Sequence, residues 1–212
     1  MSVPEFKVAH HFDDASAQFE ANKLGVWIFL VTEILLFGGM FVAFAVVRSW
    51  HPAAFKEAHL HLNKLMGSVN TVVLICSSLT MALGVRAAQR SRKTETMAML
   101  GLTLAFATTF LIIKGFEYHH KFVEGLLPGT YFTAKGFIHP SANIFYGLYF
   151  MMTGLHGVHV LIGMGLITWV LVRASRGEFS SRYYAPVEGV GLYWHLVDMI
   201  WIYLFPLLYL VG

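Results

Sequence analysis

A five-helix membrane bundle is the fold class this sequence predicts, and three observations predict it. Of the 212 residues, 57% are hydrophobic and only 13% are charged, against roughly a quarter charged in an ordinary soluble domain. Mean hydropathy is +0.62. The apolar residues are concentrated in five runs, 24–48, 67–90, 97–118, 142–173 and 187–212, each close to or above the roughly 20 residues a helix needs to cross a hydrocarbon core about 30 Å thick. Runs of this length without period-2 alternation do not suit a barrel, and an open sheet would leave backbone groups unpaired in lipid. The expected organisation is a polar tail, 1–23, and one membrane domain, 24–212, with no internal repeat.

The elements follow in order. The tail MSVPEFKVAHHFDDASAQFEANK lacks the basic start and apolar core of a cleavable signal and reads as a solvated segment. The first span is followed by a His-rich loop, 49–66, containing Pro52. A tight basic turn, 91–96, joins the second and third spans. The longest connection, 119–141, is broken by Pro128, Gly129, Gly136 and Pro140, and the last, 174–186, by Arg176, Gly177 and Pro186.

Lys and Arg asymmetry sets the expected orientation. On the side of the tail and the second and fourth loops lie Lys7, Lys23, Arg86, Arg90, Arg92, Lys93, Arg173, Arg176 and Arg182. Opposite lie Arg48, Lys56, Lys64, Lys114, Lys121 and Lys135. The density of charge in the short second loop places the N-terminus in the cytoplasm and the C-terminus in the periplasm. The basic pI near 9.0 is then a membrane-facing charge and gives no argument for nucleic acid. Cys76, the single cysteine, cannot form an intrachain disulfide and reads as a small buried hydrophobe.

Ionisable groups inside a membrane cost about 2.5 to 3.5 kcal/mol each on insertion scales, so they face protein and have partners. Six stand out: Glu33, Glu117, His156, His159, His195 and Asp198. Glu33 has no basic neighbour at helical spacing. It is either a neutral carboxyl hydrogen-bonded across helices, or a group that exchanges protons or meets lipid. His156 and His159 share a helix face, as do His195 and Asp198. Glu188 falls nearly on that second stripe. Carboxylates and imidazoles on several helices can build a bundle metal site, but the Glu-x-x-His pattern of a di-iron bundle is absent. His10, His11, Asp13 and Asp14, His59 and His61, and His119 and His120 show no fixed ligand spacing. The competing reading is packing. Gly147, Gly154 and Gly165 fall almost on one line, a face for close helix approach. His156 and His159 flank it, donating to a backbone carbonyl or to Asp198. Trp194 and Trp201, seven apart, pack on a neighbouring helix.

Five stretches in order then carry a resemblance: LVTEILLFGGMFVAF (30–44), LNKLMGSVNTVVLICSS (62–78) with its Asn70-Thr71 pair, IKGFEYHHKF (113–122), TGLHGVHVLIG (153–163) with Gly154 and Gly157, and VEGVGLYWHLVDMIWIYLF (187–205) with Trp194 and Trp201. Together they resemble cytochrome c oxidase subunit III, in the short five-helix bacterial form, from about residue 24 to the end. The resemblance implies an accessory subunit of a haem-copper terminal oxidase in the bacterial inner membrane. It would bind subunit I, sit in one complex with subunit II, and support proton uptake during oxygen reduction. It would carry no redox centre, haem and copper residing in partner subunits, and would bind phospholipid. Glu33 matches the family's buried, carbodiimide-reactive glutamate and favours the cytochrome c type over the quinol type. Arg173 matches an arginine at lipid head groups. Glu117, His156, His159, His195 and Asp198 match polar positions that join helices and are not metal ligands. The alternatives are a quinol oxidase subunit, an accessory protein of nitric oxide reductase, and, remotely, a membrane metalloenzyme. A quinol-oxidising supercomplex partner is compatible with the first reading. A transporter is disfavoured, since five helices without repeats do not make an inverted-repeat machine.

Overall fold

The computed structural model describes residues 15–210 apart from 135, 136, 140 and 182. The tail residues Lys7, His10, His11, Asp13 and Asp14, together with Lys135 and Arg182, lie outside the described residues. Among the described residues six α-helices follow one another: α1 Ala15–Trp50, α2 Pro52–His59, α3 Lys64–Gln89, α4 Lys93–Val123, α5 Ala142–Ser175 and α6 Ala185–Phe205. A π-helical turn, Pro206–Leu210, closes the chain. Five of these segments are long and apolar enough to cross a membrane. Among the described residues there are only two isolated β-bridges and no extended strand.

The helices outrun their apolar runs. α1 has 36 residues, about 54 Å at about 1.5 Å per residue, against a core of about 30 Å. Hydropathy ends at the lipid, whereas backbone hydrogen bonding does not. So residues 15–23, expected in the tail, form the first turns of α1, and α4 continues past residue 118 to Val123. The loop expected at 49–66 contains the short helix α2, started by Pro52 at its first position, where proline loses no hydrogen bond. α3 then begins on Asn63, whose side chain accepts from the Met66 amide, a cap worth about 1 kcal/mol.

α6 is the central helix. Over half of its spanning window, 56%, is buried, against 17% for α1. α6 packs on α3, α5 and α1, while α3 and α4 form a long antiparallel hairpin. The hairpin turn is tight because Ser91 takes φ +56°. That lets the amides of Ser91 and Arg92 reach back to the carbonyls of Ala88 and Ala87, both at 3.0 Å, a Schellman closure usually built on glycine. α1 lies at the edge, presenting Ile28, Val31, Leu35 and Val42 outward. In a bilayer such a face is in its proper solvent, so association rests on shape and polar ties.

The close approaches are not where the glycine line predicts. A Cβ on Gly165 would meet nothing within 4 Å, and one on Gly154 only the Tyr118 hydroxyl at 3.9 Å. The tight contact is at Gly163, where a Cβ would sit 2.7 Å from the Trp194 ring. The indole, not a small-residue stripe, sets the α5–α6 distance. Its Nε1–H donates to Ser77 Oγ at 3.1 Å, so Trp194 ties three helices at once. Seven residues on, Trp201 donates to Thr71 at 3.1 Å and stands edge-on to Phe110.

Outside the spans, Glu57 on α2 clamps the long connection. Its Oε1 accepts from the Ile138 amide at 2.7 Å and its Oε2 from the His139 amide at 3.1 Å. The Ile138 amide bond is the chief cause holding its carboxyl below the ordinary glutamate value of 4.5. A depressed folded value means the clamp is complete above that ordinary value and is lost as pH falls through the lower one. We predict that Glu57→Gln speeds hydrogen exchange at the Ile138 and His139 amides at neutral pH. In the parent protein the same two amides should lose protection only in acid. Unchanged exchange in the variant would refute the clamp.

Candidate functional site

The ionisable residues picked out inside the spans fall into three separate places. The first is at the α1–α5 contact. His159 and Glu33 meet there, Nε2 to Oε2 at 2.8 Å, with 10% and 15% of their side chains exposed. The partner that Glu33 lacks on its own helix is thus supplied by α5. The other ring nitrogen, Nδ1, faces the Leu155 carbonyl at 2.8 Å. A carbonyl only accepts, so Nδ1 must carry a hydrogen. Then Nε2 either accepts from a protonated Glu33 or, as imidazolium, donates to its carboxylate. In both forms the two side chains share one proton. Phe37 stands edge-on to the ring at 5.2 Å, and Tyr193 donates to the His159 carbonyl at 3.0 Å, which fixes this turn of α5 to α6.

The second place is a cage at one end of the bundle. Glu117, expected at the end of a span, lies inside α4 and is paired with Lys114 one turn earlier at 2.9 Å. Lys114 was counted in the sequence among the loop-side charges; in the structure it is buried. Its ammonium also donates to Tyr149 at 3.2 Å and Tyr209 at 2.9 Å. The second oxygen of Glu117 accepts from Tyr149 at 3.0 Å and from Tyr209 at 2.5 Å. The rings of Tyr118, Tyr149, Trp201 and Tyr209 surround the ammonium at 4.8 to 5.6 Å. Every ammonium proton and both carboxylate oxygens have partners, which a buried ion pair requires if it is to persist. Below it Tyr118 and Thr153 join α4 to α5 at 2.6 Å. Lys121, also buried, donates to the His61 carbonyl at 2.7 Å and to Glu124 at 3.1 Å.

The third place lies around α6, with His195 and Asp198 on that helix and His156 facing it from α5. His195 meets Ser78 at 2.6 Å. Asp198 and His156 are buried, and neither carboxyl oxygen nor either ring nitrogen has a hydrogen-bond partner among the described residues; Asn70 is in the same condition. The Ser78 hydroxyl interacts with the Asp198 carboxyl as well as with His195. Of the two partners expected for His156 and His159, a backbone carbonyl and Asp198, the Leu155 carbonyl serves His159, and neither imidazole bonds Asp198. His156 instead lies tilted against Trp201 at 5.2 Å and edge-on to Phe110 at 5.6 Å. Among the described residues no three of His, Cys, Asp and Glu come together as a set able to hold a metal ion.

Apart from these three, Arg173 lies at the end of α5. Gly177 at φ +75° reverses the chain so that Glu178 reaches Arg173, Nε to Oε2 at 2.6 Å. Tyr183 takes a second guanidinium proton at 3.3 Å. Trp169, Phe179 and Tyr183 hold the guanidinium between their rings. Beside it, between α1, α5 and α6, lies a cavity of about 410 Å3 lined by Val26, Phe29, Leu166, Trp169, Tyr183 and Tyr193, among others.

Long apolar helices tied by buried side-chain hydrogen bonds define an integral membrane helical bundle. Comparison with known proteins makes this specific. The family model for cytochrome c oxidase subunit III matches residues 7–212. Cytochrome c oxidase subunit 3 of Synechocystis is 36% identical over 91% of this chain and 76% of its own length. The probable quinol oxidase subunit 3 of Staphylococcus haemolyticus is 29% identical over 94% of each chain. A heme-copper oxidase subunit I+III of Aeropyrum pernix is 29% identical over 91% of this chain and 23% of its own length. The chain belongs to the cytochrome c oxidase subunit III family and is a subunit of a haem-copper oxidase, an oxidoreductase complex of the membrane.

Lys114 and Lys121 are buried cations that the sequence reading missed. The signal was present, since Lys114 and Glu117 are three apart on one helix. The competing signal was position, because a lysine near the end of an apolar run ordinarily snorkels to the interface.

Proposed function

We propose that this chain is the accessory subunit III of a bacterial cytochrome c oxidase, docked on subunit I, with subunit II in the same complex and haem and copper held by those partners. The single observation that carries docking on subunit I is the relative in which a subunit III homologue and subunit I form one polypeptide. The chain itself supplies scaffold and no redox centre. The arginine-rich α3–α4 turn favours a cytoplasmic N-terminus, a periplasmic C-terminus and insertion in the inner membrane.

The Glu33–His159 pair is the group we assign to function. It carries a mobile proton, borders lipid and lies at the lightly packed α1 edge. Its role in the complex is to sustain proton uptake into subunit I through repeated turnovers. Glu117, His156, His159, His195 and Asp198, with Trp194 and Trp201, hold the bundle in the shape that docks. Phospholipid fills the cavity between α1 and α5–α6, with its head group near Arg173. Glu178 already pairs with that arginine, so the head group shares the guanidinium with it.

Glu33 favours cytochrome c as the electron donor over quinol. The test is a steady-state assay of the purified complex with each donor. Oxygen consumption on reduced cytochrome c, and little on quinol alone, is the expected result. Rapid quinol oxidation without cytochrome c would assign the chain to a quinol oxidase.

A further inference from the structure

We infer that the α3–α4 end of the bundle holds the phosphate of an acidic phospholipid at Arg86 and Arg90, with one acyl chain along an apolar stripe of α3. This site is separate from Arg173 and from the cavity beside α1. Arg86, Arg90 and Arg92, with Leu83, Ala87 and Met99, line a cavity of about 280 Å3. Arg92 is paired with Glu95 at 2.8 Å, both side chains 55% exposed, a pairing that solvent screens. Arg86 and Arg90 are exposed and form no ion pair among the described residues. Two free guanidiniums and a third that can be drawn in meet a single carboxylate there. The excess charge is positive, and arginines recognise phosphate oxygens bidentately.

The stripe leads the ligand's other half. Val72, Ile75, Leu79, Leu83, Arg86 and Arg90 follow at steps of three and four residues, so they share one face of α3. The four apolar members are exposed, at 60%, 51%, 60% and 39%. From Leu83 to Val72 the helix rises about 16 Å at about 1.5 Å per residue, close to one leaflet of a core about 30 Å thick. A free phosphate has no use for that stripe. A zwitterionic lipid brings an amine, and the one carboxylate among the described lining residues, Glu95, is already engaged with Arg92. A phosphodiester without an amine fits both halves. The Schellman turn through Ser91 makes the geometry rigid, since it fixes Arg90 and Arg92 against the end of α3. The Ser91 hydroxyl also accepts from the Ser181 amide at 2.8 Å.

The test uses the purified oxidase complex containing this chain, delipidated and then exposed to phosphatidylglycerol or phosphatidylcholine. Retained lipid is counted by native mass spectrometry. The parent should retain a phosphatidylglycerol that an Arg86→Gln/Arg90→Gln complex loses. Phosphatidylcholine retention should be equal in both, and inorganic phosphate should not displace the lipid. Equal phosphatidylglycerol retention in parent and variant would overturn the site, and displacement by inorganic phosphate would overturn the lipid as its occupant. A second measurement needs no variant. Phenylglyoxal should modify Arg86 and Arg90 in the delipidated parent complex, with phosphatidylglycerol, but not phosphatidylcholine, protecting them. Arginines unreactive even after delipidation would mean protein covers the patch, and would also overturn the proposal.

Discussion

Lys114→Met is expected to destabilise the isolated chain by about 3–5 kcal/mol, because it leaves the Glu117 carboxylate buried without its cation. Glu117→Leu should cost a similar amount by stranding the ammonium. The pair is fully enclosed, its side chains 8% and 2% exposed, so water cannot replace the lost partner. The double variant Lys114→Met/Glu117→Leu should recover most of the loss. It removes both charges together, and the Tyr149 and Tyr209 hydroxyls, 3.3 Å apart, are then free to bond each other. Thermal unfolding of the purified chain in a mild detergent, followed by near-UV circular dichroism, reads all four proteins. Additive losses in the double variant would show that the two groups do not act as a pair. The cage joins α4, α5 and the closing turn after α6, so its failure should also release the C-terminal end of the bundle.

The second large effect is expected at Glu33, where packing and function separate. His159 Nδ1–H is committed to the Leu155 carbonyl, so its Nε2 needs a donor or a carboxylate opposite it. A glutamine amide supplies the donor. Glu33→Gln should therefore assemble to normal yield while losing the shared proton. Glu33→Leu supplies nothing, and stranding the imidazole costs about 1–3 kcal/mol. In the assembled oxidase, Glu33→Gln should inactivate faster over many turnovers or retain less lipid. A Glu33→Gln complex that kept its lipids and matched the parent over prolonged turnover would remove the functional assignment of this carboxyl. Poor assembly of Glu33→Gln would instead make the pair purely structural.

What the sequence made legible was the part governed by solvent. The five spans follow from lipid's demand for apolar length, and the structure retains all of them. The helix ends were less legible, because residues 15–23 and 119–123 are helical without being apolar. α2 is eight residues long, too short to leave a periodic signal in a loop. The polar contacts divide in the same way. That Glu33 needed a partner followed from its position, but the choice of His159 depends on how α1 leans on α5, which no local pattern encodes. Lys114 and Glu117 were visible as an i, i+3 pair, yet two tyrosines 35 and 95 residues away from Lys114 are what keep it buried. Asp198 shows the opposite case. It or a backbone carbonyl was the expected partner of His156 and His159, yet His159 meets the Leu155 carbonyl and Asp198 bonds neither imidazole.

The central claim is that this chain works as one subunit of a haem-copper oxidase. The most direct measurement is to tag it, extract it in mild detergent, and record the reduced-minus-oxidised spectrum and copper content of what copurifies. Oxidase haem bands with stoichiometric copper and a subunit I polypeptide are the predicted result, and the haem type then indicates the oxidase class. A haem-free eluate holding this chain alone, reproduced under cross-linking that preserves membrane complexes, would contradict it.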